Sequence, residues 1–215
     1  EVLESLILNY KQITDAKYGA ILTTLTAKAT HPNRYQETTV GNLFCDIMKE
    51  HYGLDLVLIG SGSLRKELLG PVVTKGGLLD MYSYDEKMIS MKLTGKEIKN
   101  AMLHMFREAA ADADGGHSEY YQISEGFHFT YDKEKNELIE ATLYGQEIED
   151  DALFRTGIEG FHTDNMEKFL ALDPDLVQSR GEWKIITNNI RTSVEEYMKV
   201  HTHLCPALFG RTRKV

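Results

Sequence analysis

The chain has 215 residues, of which 42% are hydrophobic and 27% are charged, and its formal net charge is −9. This composition predicts a globular protein that buries a full core, and no apolar run approaches the ~20 residues that a membrane-spanning helix needs. The negative charge argues against nucleic acid as a partner, because basic residues cluster only in the short tail with Arg211, Arg213 and Lys214.

The N-terminal residues predict an amphipathic helix of about four turns. Its apolar positions recur at helical spacing: Val2, Leu3, Leu6, Ile7 and Tyr10. Residues 20–26 alternate and are rich in β-branched side chains, which predicts a strand. The sequence begins without an initiator methionine or a signal-peptide pattern, so we expect residues 1–28 to lead from an upstream domain into a domain at 29–215.

A helix and a buried strand are predicted next. The helix begins near Thr39, with Thr38 or Thr39 as its N-cap, and ends at Gly53. Cys45 falls inside it, where we expect a buried small hydrophobic residue. Residues 54–59, LDLVLI, form a nearly continuous apolar run, which is typical of a strand buried on both faces.

A glycine–serine loop follows this strand and leads to an arginine. Gly60 and Gly62 allow a sharp turn and leave backbone N–H groups uncovered. Ser61 and Ser63 add hydroxyl groups, and Arg65 adds a planar guanidinium suited to a carboxylate or a phosphate. On these residues alone, an ordinary turn and an anion-binding loop both remain open.

The middle of the chain alternates helices and strands. Thr74 is the predicted N-cap of a short helix that ends near Tyr82, and residues 88–93 alternate as a strand. Thr94 and Glu97 form a capping box for a helix with an apolar stripe. Residues 109–117 are small, acidic and glycine-rich, which predicts an exposed loop.

The C-terminal half predicts a hairpin, a strand and further helices. Residues 126–132 and 138–144 form the hairpin, and residues 152–156 form the strand. Residues 157–169 predict a loop with Phe161 at its tip, and short helices are expected near 166–172 and from Pro174. The apolar spacing over residues 183–200 predicts one helix. Helices and strands thus mix throughout, which predicts an α/β fold with mixed sheets.

Histidines and cysteines suggest few sites. His201, His203 and Cys205 present three zinc-binding atoms, but a structural zinc site needs a fourth ligand, and the sequence shows no second pair. Cys45 and Cys205 allow at most one disulfide. His162 lies beside a threonine and an aspartate in the predicted loop, without an evident nucleophile.

The order of several motifs resembles the C-terminal domain of the 5'-nucleotidase family, which includes UDP-sugar hydrolases and cyclic-nucleotide phosphodiesterases. The similar motifs are RYQE at 34–37, VGNL at 40–43, LIGSGSLR at 58–65, GPVVT at 70–74 and LTGKEIK at 93–99. They correspond to the family patterns R-x-x-E, L-G-N-L, N-G-G-G-I-R, G-x-[IV]-T and L-T-G-x-E-[IL]-K. The later half agrees more loosely, down to the closing glycine–arginine pair at 210–211.

The resemblance implies a four-layer α/β/β/α sandwich that recognises the substrate of a nucleotide-hydrolysing metallophosphohydrolase. In that family the C-terminal domain binds the nucleoside part, and an N-terminal domain with two divalent metal ions hydrolyses the phosphoester. Carried over to this chain, the arginines that contact the ribose or phosphate are Arg34 and Arg65. The rings that stack on the base are Tyr84 and Phe161. Ser61 and Gly62 of the glycine–serine loop line the site, and Glu167 accepts a hydroxyl.

Three positions depart from the family pattern. Gly60 replaces the asparagine of N-G-G-G-I-R, YSYDE at 82–86 replaces L-P-F-G-N, and NMEKF at 165–169 replaces G-G-D-G-F. The catalytic motifs D-x-H and G-N-H-[DE] do not occur in the 215 residues, so we expect no catalytic residue, metal ligand or phosphoester hydrolysis in this chain alone. A non-catalytic binding or interaction module on the same fold is the alternative. Members of the similar family usually act outside the cytoplasm, so the resemblance implies that location.

Overall fold

A computed structural model of the chain describes residues 2–111 and 119–215. The helices are α1 (Val2–Tyr18), α2 (Thr39–Tyr52), α3 (Lys75–Met81), α4 (Gly95–Ala111), α5 (Gly160–Asp164), α6 (Met166–Leu170), α7 (Pro174–Gln178) and α8 (Ile190–Val200). The strands are β1 (Ile21–Thr24), β2 (Ala29–Thr30), β3 (Leu56–Gly60), β4 (Leu68–Leu69), β5 (Val72–Thr74), β6 (Met88–Thr94), β7 (Tyr121–Ile123), β8 (Phe127–Asp132), β9 (Glu137–Leu143), β10 (Gln146–Glu147), β11 (Leu153–Glu159), β12 (Lys184–Thr187) and β13 (Thr212–Lys214). Within these residues, no helix combines the length and apolarity that crossing a membrane requires.

The strands form mixed sheets, as the sequence predicts. A five-stranded sheet has the order β12-β6-β11-β3-β7, in which β11 runs parallel to β3 and antiparallel to β6. A four-stranded sheet has the order β10-β9-β8-β13, and two short pairs join β1 to β5 and β2 to β4. The predicted α/β fold with mixed sheets is therefore confirmed.

Strand β3 lies between β11 and β7 and is buried on both faces. Val57 and Ile59 pack into a core that also contains side chains of α2, α3 and α8. Leu56 and Leu58 pack into a second core with side chains of α4, β8 and β11. Because successive side chains of a strand point to opposite faces, one apolar run fills both cores. The 3₁₀ turn Ser61–Ser63 that follows is therefore anchored to a strand that is buried along its whole length.

Local helix signals from the sequence are confirmed. The Thr38 hydroxyl accepts from Gly41 N–H at the start of α2, and Gly53 ends that helix with φ 60°. Thr94 and Glu97 exchange the two hydrogen bonds of a capping box. Cys45 is fully buried, and its sulfur is not bonded to Cys205.

The prediction of one helix over residues 183–200 is wrong. The first part is the edge strand β12, which pairs antiparallel with β6, and α8 begins only at Ile190. Asn189 caps α8 by accepting from Thr192 N–H, and its own N–H donates to the Thr187 hydroxyl. These side-chain bonds interrupt the backbone pattern that a continuous helix would need.

The predicted loop over residues 157–169 is also wrong. Strand β11 continues to Glu159, and α5 and α6 follow directly. The glycines serve close packing here: a Cβ at Gly157 would lie 2.6 Å from Leu54 Cδ1, and one at Gly160 would lie 2.3 Å from Lys87 Cε. Helix α4 likewise runs to residue 111, into the predicted loop 109–117, and positions 112–117 of that loop lie outside the described residues.

Candidate functional site

The end of β3 opens into a cleft with a volume of about 320 Å³. Parts of the chain that are distant in sequence line it: the turn after β3, Arg34, the segment around residue 84, Glu119 and helix α5. Five residues chosen from the sequence line this cleft, namely Arg34, Gly62, Arg65, Tyr84 and Phe161. Ser63, Glu86, Glu119 and His162 also line it.

Two aromatic rings at the cleft are about half exposed. The exposed fraction is 48% for Tyr84 and 52% for Phe161. Phe161 contacts Phe169, with ring centroids 5.4 Å apart. Gly160 N–H donates to the Lys87 carbonyl at 2.9 Å, which ties the helix carrying Phe161 to the segment carrying Tyr84. Both rings thus lie on connected segments, and each leaves about half of its surface free for a ligand.

Arg65 lies at the same cleft. Its Nη1 donates to the Gly62 carbonyl at 3.1 Å, and its Cζ lies 5.8 Å from the centroid of the Tyr84 ring. The side chain is exposed. Arg65 therefore offers a positive charge beside an aromatic face.

Arg34 is already paired with a carboxylate of the protein. Arg34 Nη2 donates to Glu119 Oε2 at 3.1 Å, and Gly62 N–H donates to Glu119 Oε1 at 2.9 Å. Burial by itself raises the pKa of Glu119, but its contacts with His162, Gly62 N–H and Arg34 outweigh burial and hold the pKa below its usual range. Glu119 is therefore an ionised group inside the cleft.

His162 lies between the carboxylates of Glu119 and Glu159. Its Nδ1 is 3.1 Å from Glu159 Oε2, and its Nε2 is 3.7 Å from Glu119 Oε2. Neither ring nitrogen has hydrogen-bond geometry to any described group, so the contacts are ionic. Burial by itself lowers the pKa of His162, but the two carboxylates outweigh burial and raise it to about 9.

Glu159 at the end of β11 completes this buried cluster. It accepts from Gly60 N–H at 2.7 Å and from the Tyr82 hydroxyl at 2.5 Å. Burial and the Glu159 charge raise the pKa of Tyr82 well above its ordinary value. A Cβ at Gly60 would lie 2.4 Å from His162 Cε1, so His162 occupies the space that a larger residue would need. That packing explains why glycine stands at position 60.

Two residues chosen from the sequence lie outside the cleft lining. Ser61 is fully buried, and its hydroxyl oxygen accepts from Gln122 Nε2, so this side chain stabilises the turn from the protein interior. Glu167 is exposed on α6 and borders a separate surface groove with Lys168 and Trp183. The carboxylates at the cleft are instead Glu86 and Glu119.

The suggested zinc ligands have other partners. The His201 ring stacks on Tyr197 with centroids 3.8 Å apart, and His203 Nδ1 lies 3.1 Å from the Thr24 hydroxyl oxygen. Cys205 is exposed. In the part of the chain that the structure describes, three or more His, Cys, Asp or Glu side chains nowhere group to hold a metal ion.

Comparison with known families and proteins gives consistent matches. Residues 17–173 match the family model described as 5'-nucleotidase, C-terminal domain. Endonuclease YhcR of Bacillus subtilis (strain 168) is 25% identical over 126 residues, which are 58% of this chain and 10% of that protein.

Solved structures share the fold. A 5'-nucleotidase precursor from Thermus thermophilus superposes with a TM-score of 0.75 at 17% identity, over 99% of this chain and 43% of that chain. The NAD nucleotidase of Haemophilus influenzae gives a TM-score of 0.74 at 15% identity, over 99% of this chain and 41% of that chain. This chain thus spans less than half the length of these relatives.

Proposed function

This chain belongs to the 5'-nucleotidase C-terminal domain family, and we propose that its cleft binds the nucleoside part of a nucleotide. In this proposal the phosphoester is hydrolysed by an N-terminal domain of the same polypeptide, outside the present sequence, which holds the divalent metal ions. The chain described here then supplies substrate recognition in nucleotide breakdown. Its own contribution is to bind and orient the ligand.

The observation that carries the proposal is the pair of half-exposed rings at one cleft. Tyr84 and Phe161 lie outside both hydrophobic cores and border the same space as Arg65. A flat nucleobase gains offset-stacking contact with such rings, and a guanidinium binds phosphate or hydroxyl oxygens. A volume of about 320 Å³ is at the lower end for small-molecule sites, which suits one nucleoside.

The aromatic role is tested by calorimetry with adenosine, guanosine, cytidine and uridine. Stacking of one base on one ring is worth ~1–3 kcal/mol, so Phe161→Ala is expected to weaken binding of the preferred nucleoside roughly 5- to 150-fold. Phe209→Ala is the matched control, because Phe209 is exposed to a similar fraction (56%) and borders a different groove. Unchanged affinity in Phe161→Ala would show that the ring does not contact the ligand.

A second candidate function is a non-catalytic binding or interaction module on the same fold. Two observations favour it. Gly60 lacks the asparagine side chain of the family pattern, and the Arg34 guanidinium is already bonded to Glu119. The upstream coding sequence separates the two candidates. Intact D-x-H and G-N-H-[DE] motifs there would support the hydrolase, and their loss would support the module.

A further inference from the structure

We propose that Glu119 fills a preformed anion-binding cradle in the cleft and thereby determines which part of the ligand lies there. With this internal carboxylate in place, an uncharged, hydroxyl-bearing part of the ligand lies against Glu119, and Arg65 instead of Arg34 binds the anionic group. The identity of the ligand rests on the proposed function. The cradle itself does not, because inorganic phosphate tests it directly.

Three groups of the described structure surround the Glu119 carboxylate. Gly62 N–H is 2.9 Å from one oxygen, and Arg34 Nη2 is 3.1 Å from the other. His162 Nε2 is 3.7 Å from that second oxygen. A backbone N–H, a guanidinium and an imidazole are the groups with which proteins bind phosphate and carboxylate ligands. A side chain of the protein thus occupies the position that an anionic ligand would take.

The cradle is built into the fold. A Cβ at Gly62 would lie 2.5 Å from Arg34 Nη2 and 3.2 Å from Glu119 Oε2, so only glycine permits this approach. The His162 side chain is 3% exposed and the Glu119 side chain is 11% exposed. Arg34 Nε is buried and has no hydrogen-bond partner within the described residues. These features distinguish the cradle from a surface ion pair, in which both partners are solvated.

The charge of Glu119 decides what the cleft accepts. A ligand phosphate placed on Arg34 would meet the Glu119 carboxylate, and like charges at close range are costly. A carboxylate accepts hydrogen bonds from hydroxyl groups without that cost. Arg65 is different, because among the described residues its guanidinium bonds only to the Gly62 carbonyl and is exposed. Arg65 is therefore the arginine available to an anion.

The cradle is tested by titrating inorganic phosphate into the wild-type chain, Glu119→Ala and Glu119→Gln. We expect phosphate to bind Glu119→Ala at least about ten-fold more tightly than the wild type, because the substitution releases the donors of the cradle. The double variant Glu119→Ala, Arg34→Ala should lose most of that gain. Glu167→Ala is the charge-matched control, since Glu167 lies outside the cleft, and it should behave as the wild type.

A second experiment compares the affinities of adenosine and adenosine 5'-monophosphate, or of the corresponding nucleoside and nucleotide for the preferred base. Arg65→Ala should reduce the nucleotide-to-nucleoside affinity ratio, and Glu119→Gln, which preserves the side-chain shape, should raise it. Phosphate binding that is no tighter in Glu119→Ala and Glu119→Gln than in the wild type would overturn the inference. If Glu119→Ala gains affinity for inorganic phosphate but no variant binds a nucleoside, the result would support the cradle and contradict the proposed function.

Discussion

At the scale of single residues, His162 links the floor of the cleft to the end of β11. Its imidazole lies between Glu119 and Glu159, and Glu159 also accepts from Gly60 N–H and from the Tyr82 hydroxyl. A positive charge on His162 compensates the negative charges of both buried carboxylates, and a neutral imidazole would leave these charges less compensated. The protonated imidazole is therefore part of the folded structure.

His162 is expected to make stability depend on pH. Its pKa is about 9 in the folded chain and 6.5 for an unperturbed histidine, so its stabilising effect is complete below pH 6.5 and is lost as pH rises through 9. Between pH 7 and pH 10 the free energy of unfolding should fall by on the order of 2–3 kcal/mol through this group. Urea unfolding at the two pH values measures this loss.

His162→Gln is the reference for that measurement, because other groups also titrate near pH 10. The difference in unfolding free energy between wild type and His162→Gln should be larger at pH 7 than at pH 10. An equal difference at both values would mean that His162 is neutral in the folded chain.

At the scale of elements, the C-terminal strand β13 is fixed by a buried arginine. Arg211 is 1% exposed, and its guanidinium donates to both oxygens of Asp46 on α2 and to the Ile123 carbonyl at the end of β7. Strand β13 pairs parallel with β8 directly after this residue. One side chain thus connects the four-stranded sheet with a helix and a strand of the other sheet.

Arg211→Ala should destabilise the fold strongly. The substitution removes the guanidinium donor of the Ile123 carbonyl and the ion pair of Asp46, whose carboxylate then keeps the Glu125 N–H as a donor. Breaking a buried ion pair costs ~3–5 kcal/mol. The Asp46 side chain is 31% exposed, so we expect roughly 2–4 kcal/mol from denaturant unfolding. Arg213→Ala, two residues later in β13 and exposed, should change stability by no more than ~0.5 kcal/mol. Equal losses in both variants would contradict the role of Arg211.

The elements that the sequence predicts well are those with local signals. The caps at Thr38 and Thr94 and the stop at Gly53 depend on residues within one or two turns, so short patterns are sufficient to predict them. The strand β12 is missed because Trp183, Ile186 and Ile190 recur at helical spacing, although only Ile186 of the three lies in the strand. Only the pairing with β6 decides between a helix and an edge strand.

The candidate site divides in the same way. Arg65 and the glycine loop follow a recognisable strand, so the sequence suggests them. Glu119 belongs to no motif, and its partner Arg34 lies 85 positions away, so its role follows from tertiary structure alone. Phe161 is predicted at a loop tip and instead lies on α5, and from that helix it borders the cleft.

At the scale of the whole molecule, helix α1 differs from the rest of the chain. The apolar stripe predicted from the sequence is largely exposed, since Leu3, Leu6, Ile7 and Tyr10 are 49–67% exposed. Among the residues whose side chains the structure describes, neither hydrophobic core contains an α1 residue, and the family match begins at residue 17. We therefore expect α1 to contribute less to the stability of the fold than the elements that supply the two cores.

This division predicts a contrast between two leucines. Leu6 on α1 is 49% exposed, whereas Leu78 on α3 is fully buried in the core beside β3. Leu78→Ala should lower the free energy of unfolding by ~2–5 kcal/mol, because it removes buried surface and leaves a cavity. Leu6→Ala should change it by no more than ~0.5 kcal/mol, since alanine is also a strong helix former. Urea unfolding followed by circular dichroism measures both, and a comparable loss in Leu6→Ala would show that α1 is part of the cooperative core.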